Sequence, residues 1–348
     1  MSYRLSPPLK ILSLLQPRLK EGTRLKANPW FTENIYSDII TVSGRISRFE
    51  YFYRDGGPFK RALKRSEWAE KININSYQWP SESELLPDFD KKISEFMDLL
   101  AETGKFRMLK ILGPTETAEA FCTVKIPNHH YSKDRLSHNF DYSYLCWANF
   151  QAAKEIHNRL TEYILYLLEN SNMIRLFDSV RIADDVFDYH GYLYPPEFIS
   201  KVWRLNHKKI SSTIKNLGLT AVLHTDGDPS REIDFIESNY NGLHPLDMIS
   251  KNNYSELLDW LNLIEKLISG RRIVVFTGLP INFLYGSEEQ FTVLKKFIVE
   301  DLPRLRTIRF ILSTTHRPYS TVNIRSEIIK NRYNEIKKIR DIILGFTH

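Results

Sequence analysis

The feature that most constrains the fold of this chain is a regular alternation of short β-branched runs with longer helical segments, which starts near residue 105. Runs bounded by Gly, Pro or Asp are typical of strands buried on both faces. Strands and helices that repeat in this way predict parallel strands joined by right-handed crossovers. The runs cover 106–112, 179–184, 220–224, 240–244, 272–277 and 308–313, and the helical segments cover 150–170, 196–217, 230–238, 254–269, 287–302 and 321–344.

We therefore predict a (β/α)8 TIM barrel, an α/β fold, that forms a single domain over residues 1–348 with an irregular N-terminal extension at 1–104. That extension must supply the two remaining strands, and 39–42 and 46–53 are the candidates. The segment 113–149 is longer than a normal loop, so we predict that it forms an excursion at the active site with a short helix at 115–121. The alternative fold is an open doubly wound sheet, but the sequence lacks the GxGxxG or Walker motif usual there.

The composition indicates a globular protein, since 42% of the residues are hydrophobic and 26% are charged. The two cysteines, Cys122 and Cys146, are too few for a disulfide framework, and without a CxxC pair they do not predict a zinc ribbon. The sequence has neither an 18-residue apolar run nor the pattern of a signal peptide. We expect a cytoplasmic protein that does not bind membranes.

Positive charge is concentrated at the two ends of the sequence. Residues 1–71 carry 14 Lys and Arg against 7 Asp and Glu, and residues 304–348 carry 10 against 3. This pattern fits a solvated surface, or attraction of an anionic cofactor or substrate. Nucleic-acid binding is not expected, because no recognised motif accompanies the charge.

Polar residues at the ends of the predicted strands are the candidate functional residues, because barrel enzymes place their active sites there. Each also has a structural interpretation: the aspartates can cap loops, His224 and Asp226 can form a turn, and His244 can bond to a neighbouring strand. Asp228 before Pro229 favours a helix N-terminus. The candidates at the strand ends are Gly113, Asp184, Asp185, His224, Asp226, His244, Asp247 and His316.

These strand ends resemble the uroporphyrinogen decarboxylase-like superfamily, and their motif order is most like that of its cobalamin-dependent thiol methyltransferases. Residues 182–185 and 191–198 are similar to the family's D-D strand end followed by G-x-x-x-S-P-E-x-F. Residues 223–228, LHTDGD, resemble L-H-x-C-G followed by D or N. The family's Gly-Pro loop is similar to residues 112–114. Its later strand ends are similar to residues 242–247 and to residues 313–316 with 323–324. The resemblance covers about residues 105–330.

The resemblance implies a metal-dependent enzyme that moves a methyl group between a corrinoid or similar donor and a thiol. The family's zinc enzymes use His-x-Cys and a later Cys, whose positions here hold His224, Asp226 and His316. Two histidines and one carboxylate would bind a divalent metal, with zinc as the expected ion, and leave an open position. If they do not, Asp226 pairs with Arg317 or caps a turn while the histidines bond separately.

The remaining roles follow from this metal site. Asp184, Asp185 and His244 would orient the ligands or take a proton. Gly113, Tyr189 and Asp247 would contact the substrate. The expected partners are a small molecule or tetrapyrrole as substrate, a corrinoid protein, and a second copy of the chain in a homodimer.

Two other functions stay open. One is a decarboxylase that acts on a tetrapyrrole or another acid without a metal, with Asp184 and His316 as polar anchors. Uroporphyrinogen itself is not an expected substrate, because the family's propionate-binding R-Q-A-G-R-Y motif is missing. The other is a barrel that binds a ligand without catalysis.

Overall fold

The computed structural model of the chain describes residues 39–44, 66, 69–70, 72–77, 79–97, 100, 105–122, 141–316 and 326–344. The strands are β1 Ile39–Gly44, β2 Phe106–Leu112, β3 Ser179–Ala183, β4 Phe187–Asp188, β5 Gly191–Tyr192, β6 Thr220–Thr225, β7 Gly242–Pro245, β8 Val274–Leu279 and β9 Phe310–Thr314. The α-helices are α1 Glu82–Ser94, α2 Pro114–Cys122, α3 Asp141–Ala148, α4 Phe150–Asn170, α5 Pro196–Phe198, α6 Arg204–Asn216, α7 Ile233–Asn239, α8 Tyr254–Ile268, α9 Ile281–Leu284, α10 Glu288–Glu300 and α11 Ser326–Leu344. A π-helical turn, Ile199–Trp203, joins α5 to α6, and short 3-10 helices cover Ile74–Ser76, Asn172–Leu176, Ser230–Glu232 and Leu302–Thr307.

Seven of these strands form one parallel sheet in the order β1-β2-β3-β6-β7-β8-β9. Strands β4 and β5 form a separate antiparallel hairpin. Every strand of the large sheet pairs with the next large-sheet strand along the chain, which is the order of a sheet wound in one direction around an axis. A doubly wound sheet reverses its strand order at a switch point, so this order excludes the alternative fold.

The sheet is curled, and its concave face holds a small apolar cluster of its own. Met108 of β2, Val222 of β6 and Phe276 of β8 pack together there. These residues come from alternate strands, as in the side-chain layers that fill a TIM barrel. Strands two apart in a flat sheet lie roughly 9.5 Å from each other, so the cluster requires the curvature.

The convex face of the sheet carries the main hydrophobic core and is covered by helices. In β3, Val180 and Ile182 face this core, and their neighbour Arg181 lies on the concave face. Helix α4 shows how the outer layer forms: Asn149 caps its first turn by accepting from the amide of Ala152. Its buried positions recur at helical spacing, and the helix packs against α2, α3 and α6.

The strand and helix predictions from residue 105 onward are confirmed within a few residues, and so are a strand near 39–42 and the helix near 115–121. The predicted closure of the barrel is seen only in part. The described residues form a curled sheet of seven parallel strands, which is a half-barrel, and within them the edge strands β1 and β9 do not pair with each other. The candidate strand at 46–53 lies outside the described residues. No helix within the described ranges is long and apolar enough to cross a membrane.

Candidate functional site

The candidate site lies at the carboxyl ends of β3, β6, β7 and β9, on the concave face of the sheet. His224 of β6 and His244 of β7 occupy paired positions in the sheet. His224 follows Val222 by two residues, so its side chain lies on the same concave face as that of Val222. Asp226 follows β6 directly, and Asp185 follows β3 by two residues. Because side chains alternate along an extended chain, His224 and Asp226 share this face.

Asp185, His224 and Asp226 form the centre of the site. One donor atom from each lies within 4.8 Å of the other two. Nε2 of His224 is 3.9 Å from Oδ1 of Asp185 and 3.9 Å from Oδ1 of Asp226. The Asp226 amide also donates to Oδ1 of Asp185 at 2.8 Å, which ties the two loops together. Ligands of a tetrahedral zinc lie roughly 3.4 Å apart, so these 3.9 Å spacings are slightly wider than those of a loaded site.

His316 reaches the same cluster from the end of β9. Its Nε2 lies 3.9 Å from Oδ2 of Asp226. The three predicted metal ligands are therefore gathered around one carboxylate, although they come from strands three apart in the sheet order. Asp185, predicted as a catalytic residue, lies in the same cluster, with Oδ1 3.9 Å from Nε2 of His224. Arg317, the alternative partner of Asp226, lies outside the described residues.

Asp226 has an unusual electrostatic environment. Its Oδ1 is buried and accepts no hydrogen bond from the described residues. Burial raises the pKa of Asp226 well above its ordinary value, and the charges of Asp185 and Asp247 raise it further. A buried carboxylate oxygen without a donor costs free energy. A cation bound between this oxygen and His224 would remove that cost, so the residues present fit a metal ion.

His224 and His244 form a direct pair beneath this carboxylate. Their Nδ1 atoms are 2.6 Å apart, and Nε2 of His244 donates to the Thr314 carbonyl at 2.8 Å. His244 thus bonds to the neighbouring strand β6, as its structural interpretation has it, and also to β9, two strands away. Burial lowers the pKa of both rings well below the ordinary value, and the cations Lys110 and Arg181 lower it further. Both rings are consequently neutral, which is the form that binds metals.

Glu116, in the first turn of α2, adds another carboxyl group to the cluster. Its carboxyl group lies close enough to Asp185 for the charges of the two groups to act on each other. Burial raises the pKa of Glu116 well above its ordinary value, and the charges of Asp185 and Asp184 add to this. Buried carboxyl groups this close to one another do not all ionise, which favours the protonated form of Glu116. The only sequence signal for Glu116 was its position shortly after the predicted strand at 106–112.

Asp184 faces the opposite side of the sheet from Asp185. Its side chain is fully buried and continues the row of Val180 and Ile182 toward the helices. Oδ1 accepts from the Glu116 amide at 2.9 Å. Oδ2 accepts from Thr115 Oγ1 at 2.7 Å, from Trp203 Nε1 at 3.1 Å and from His207 Nε2 at 2.8 Å. Asp184 thus anchors the loop that carries Glu116, and its position favours support of the site over contact with a substrate.

The pKa of Asp184 reflects the hydrogen bonds and the histidines that surround its carboxylate. Burial alone raises it, but the hydrogen bonds from His207 and Thr115 and the nearby His157 hold it below the ordinary value. His207 also bonds Tyr240 at 2.6 Å, and His157 bonds Asn206 at 2.8 Å.

The sequence analysis missed both helix histidines of this network. A signal existed, because His157 falls within the apolar stripe of α4 between Ile156 and Leu160, where a polar residue needs a buried partner.

The three predicted substrate contacts lie in different environments. Gly113 packs against Asp184, and a Cβ there would lie 2.4 Å from three side-chain atoms of that residue. Asp247 forms an ion pair with the buried Lys251 and lies near Asp226. Tyr189 is 46% exposed in the turn between β4 and β5.

The β4–β5 hairpin braces the loop that carries Asp226. The Asp228 amide donates to the Asp188 carbonyl at 2.9 Å. Gly227 has φ +80°, and a Cβ there would lie 2.7 Å from the backbone of Asp188, so only glycine suits this position. Asp228 was predicted to cap a helix with Pro229 in its first turn, but the helix begins at Ser230 and Pro229 is its N-cap; Oδ1 of Asp228 accepts from the Ser230 amide at 2.9 Å, one residue before the cap.

No protein-family model matches this chain, and no curated protein matches it. Among solved structures, a methyltransferase from Methanosarcina mazei is similar with a TM-score of 0.51 and 14% identity, over 76% of this chain and 69% of that one. A Bacteroidetes-affiliated GH5 cellulase linked with a polysaccharide utilization locus is similar with a TM-score of 0.44 and 10% identity, over 91% of this chain and 95% of that one. At these identities the likeness concerns the fold.

Proposed function

We propose that this chain is a metal-dependent enzyme that transfers a methyl group from a corrinoid or similar donor to a thiol. The observation that carries the proposal is the buried Oδ1 of Asp226, which lacks a hydrogen-bond partner among the described residues and faces Nε2 of His224 at 3.9 Å. Two acceptor atoms directed at each other inside a protein are stabilised by a proton or a cation between them, and in this proposal a divalent metal ion takes that position.

The proposed ligands are Asp185, His224 and Asp226. Their donor atoms are the most compact set among the described residues, and two carboxylates offset the charge of a divalent ion. Nitrogen and oxygen donors suit zinc and other first-row divalent metals. His316 lies beside the second oxygen of Asp226 and orients that carboxylate in this arrangement, whereas the sequence analysis placed it among the ligands.

A metal bound here would lower the pKa of a thiol and hold it as the thiolate. The surrounding residues would do the rest. Asp247, which lies near Asp226, can take the thiol proton, and Tyr189 lies on the hairpin beside the Asp226 loop, where it can contact the substrate. In the proposed reaction the thiolate would take the methyl group, and the electron pair of the bond that is broken would remain with the methyl donor.

Two considerations support methyl transfer over other metal-dependent reactions. The strand-end motifs occur in the order found in cobalamin-dependent thiol methyltransferases, and the fold is similar to that of the methyltransferase from M. mazei.

Metal content tests the site independently of activity. Purified protein dialysed against zinc should retain one ion per chain by mass spectrometry of the metal. The variants His224→Ala and Asp226→Asn should lose it, and the control Asp234→Asn, whose side chain is 89% exposed, should keep it. Asp185→Asn should weaken zinc binding more than His316→Ala. Wild-type protein that retains no metal would refute the proposal.

The methyl donor is tested with methylcobalamin and 2-mercaptoethanol under anaerobic conditions. The zinc-loaded protein should convert methylcobalamin to its demethylated form, followed by absorbance, with one methyl thioether formed per corrinoid. His224→Ala should abolish this conversion. An unchanged spectrum with zinc-loaded wild-type protein would leave the metal site in place and refute methyl transfer from a corrinoid.

A further inference from the structure

The contact between His224 and His244 restricts where the protons of the two rings can be. Their Nδ1 atoms lie 2.6 Å apart, so one of these atoms carries a hydrogen and the other accepts it. Nε2 of His244 lies 2.8 Å from the Thr314 carbonyl oxygen. A carbonyl only accepts, so this nitrogen carries a hydrogen. A neutral imidazole has one N–H, and Nδ1 of a neutral His244 must therefore be the acceptor.

We infer that His244 fixes His224 in the tautomer with its hydrogen on Nδ1, so that Nε2 of His224 presents a lone pair to Asp185 and Asp226. The inference rests on the proposed function for the ion that this lone pair would bind. It concerns the protons of the metal-free protein, and it makes His244 a positioning residue that acts through His224.

The surroundings of the pair agree with this assignment. His224 and His244 are 8% and 5% exposed, so water does not compete for the nitrogen atoms. Their ring centroids are 4.8 Å apart and the planes are inclined by 32°, which allows an in-plane bond between nitrogens. Lys110 and Arg181 act on both rings from the concave face and oppose a positive charge on either one.

The consequence for the site is that the lone pair of His224 lies beside two carboxylate oxygens. Nε2 of His224 and the Oδ1 atoms of Asp185 and Asp226 all face one another, with both carboxylate oxygens 3.9 Å from the nitrogen. The opposite tautomer would place an N–H at this position and bond a carboxylate directly, which would block a metal. The Thr314 carbonyl therefore sets the tautomer of His244, and His244 in turn sets the tautomer of His224.

Nuclear magnetic resonance of histidine-labelled, metal-free wild-type protein tests the assignment, and a variant serves only to identify signals. Long-range correlations between ring protons and nitrogens distinguish the two neutral tautomers, and His224→Gln identifies the signals of His224. At pH 7.5 we expect His224 to carry its hydrogen on Nδ1 and His244 on Nε2. A hydrogen on Nε2 of His224, or on both nitrogens of either ring, would overturn the inference.

Two substitutions of His244 test the effect on metal binding. His244→Phe removes both bonds and should weaken zinc binding by about 10- to 100-fold, the usual effect of losing a partner that orients a ligand. His244→Gln offers an acceptor oxygen toward Nδ1 of His224 and a donor nitrogen toward Thr314, and should restore most of the affinity. Equal affinities in both variants and the wild type would contradict the role of His244.

These outcomes separate the inference from the proposed function. If the Nδ1–H tautomer is observed but wild-type protein takes up no zinc, the tautomer assignment stands and the proposed function fails. If zinc binds to a protein whose His224 carries its hydrogen on Nε2 before loading, the inference fails and the metal site stands.

Discussion

Replacing the buried His157 with glutamine should make the protein markedly less sensitive to mild acid. His157 is fully buried in α4. Burial lowers its pKa to about 3, opposed by Asp184 and reinforced by His207. In the unfolded chain a histidine titrates near its ordinary value of about 6.5. Between these two values the unfolded chain binds a proton that the folded chain does not, so the free energy of unfolding falls as the pH falls.

The size of the effect follows from these two pKa values. Between pH 7 and pH 5, His157 should remove about 2 kcal/mol of stability, since each pH unit below the unfolded value costs about 1.4 kcal/mol. Glutamine does not titrate and can still donate to Thr115. His157→Gln should therefore lose about 2 kcal/mol less than the wild type over this range, whatever its stability at pH 7.

Urea unfolding at pH 7 and pH 5, followed by tryptophan fluorescence, measures this difference. The matched control is His190→Gln, which alters an exposed histidine and should show the wild-type loss. Because His224 and His244 are unchanged in both variants, their contributions cancel in the comparison. If His157→Gln loses as much stability as the wild type between the two pH values, the buried neutral histidine does not exist as described.

Further substitutions test the packing around the site and the attachment of the last helix, each read as the urea midpoint. Gly113→Ala should destabilise the protein by about 1–3 kcal/mol, because its Cβ would overlap Asp184; a neutral effect would contradict this contact. Trp203→Phe should cost about 1.5–3 kcal/mol through the lost bond to Asp184, and an unchanged midpoint would show that this bond is absent. Arg332→Ala should cost more than Glu288→Ala, because Arg332 is buried and donates to two backbone carbonyls while Glu288 is 75% exposed; equal losses would assign the stabilisation to the ion pair.

Much of the fold could be predicted from the sequence because a parallel sheet leaves a clear pattern. Each strand is an unbroken apolar run, and each crossover is an amphipathic helix, so β2 and α4 were predicted with the observed bounds. Closure of the barrel could not be read in the same way. Residues 1–104 lack the repeat, and of the two strands expected there only β1 lies within the described residues.

The candidate site was predicted less completely, because position at a strand end does not determine the face of the sheet. Asp184 and Asp185 are adjacent in sequence, yet one lies among the helices and the other beside His224. Both faces of these strands are buried, so no alternation of polar and apolar residues separates them. The partners that decide the question, His157 and His207, come from helices far away in the sequence.

The brace between the β4–β5 hairpin and the Asp226 loop limits how this site can change over evolutionary time. Loops at the ends of barrel strands usually accept insertions, which is how the fold acquires new specificities. Here the loop is fastened on both sides of Gly227, by the Asp226 amide to Asp185 and by the Asp228 amide to Asp188. An extra residue would break one of these attachments, so variation in length is expected beyond the hairpin turn at Tyr189 and not between Thr225 and Pro229.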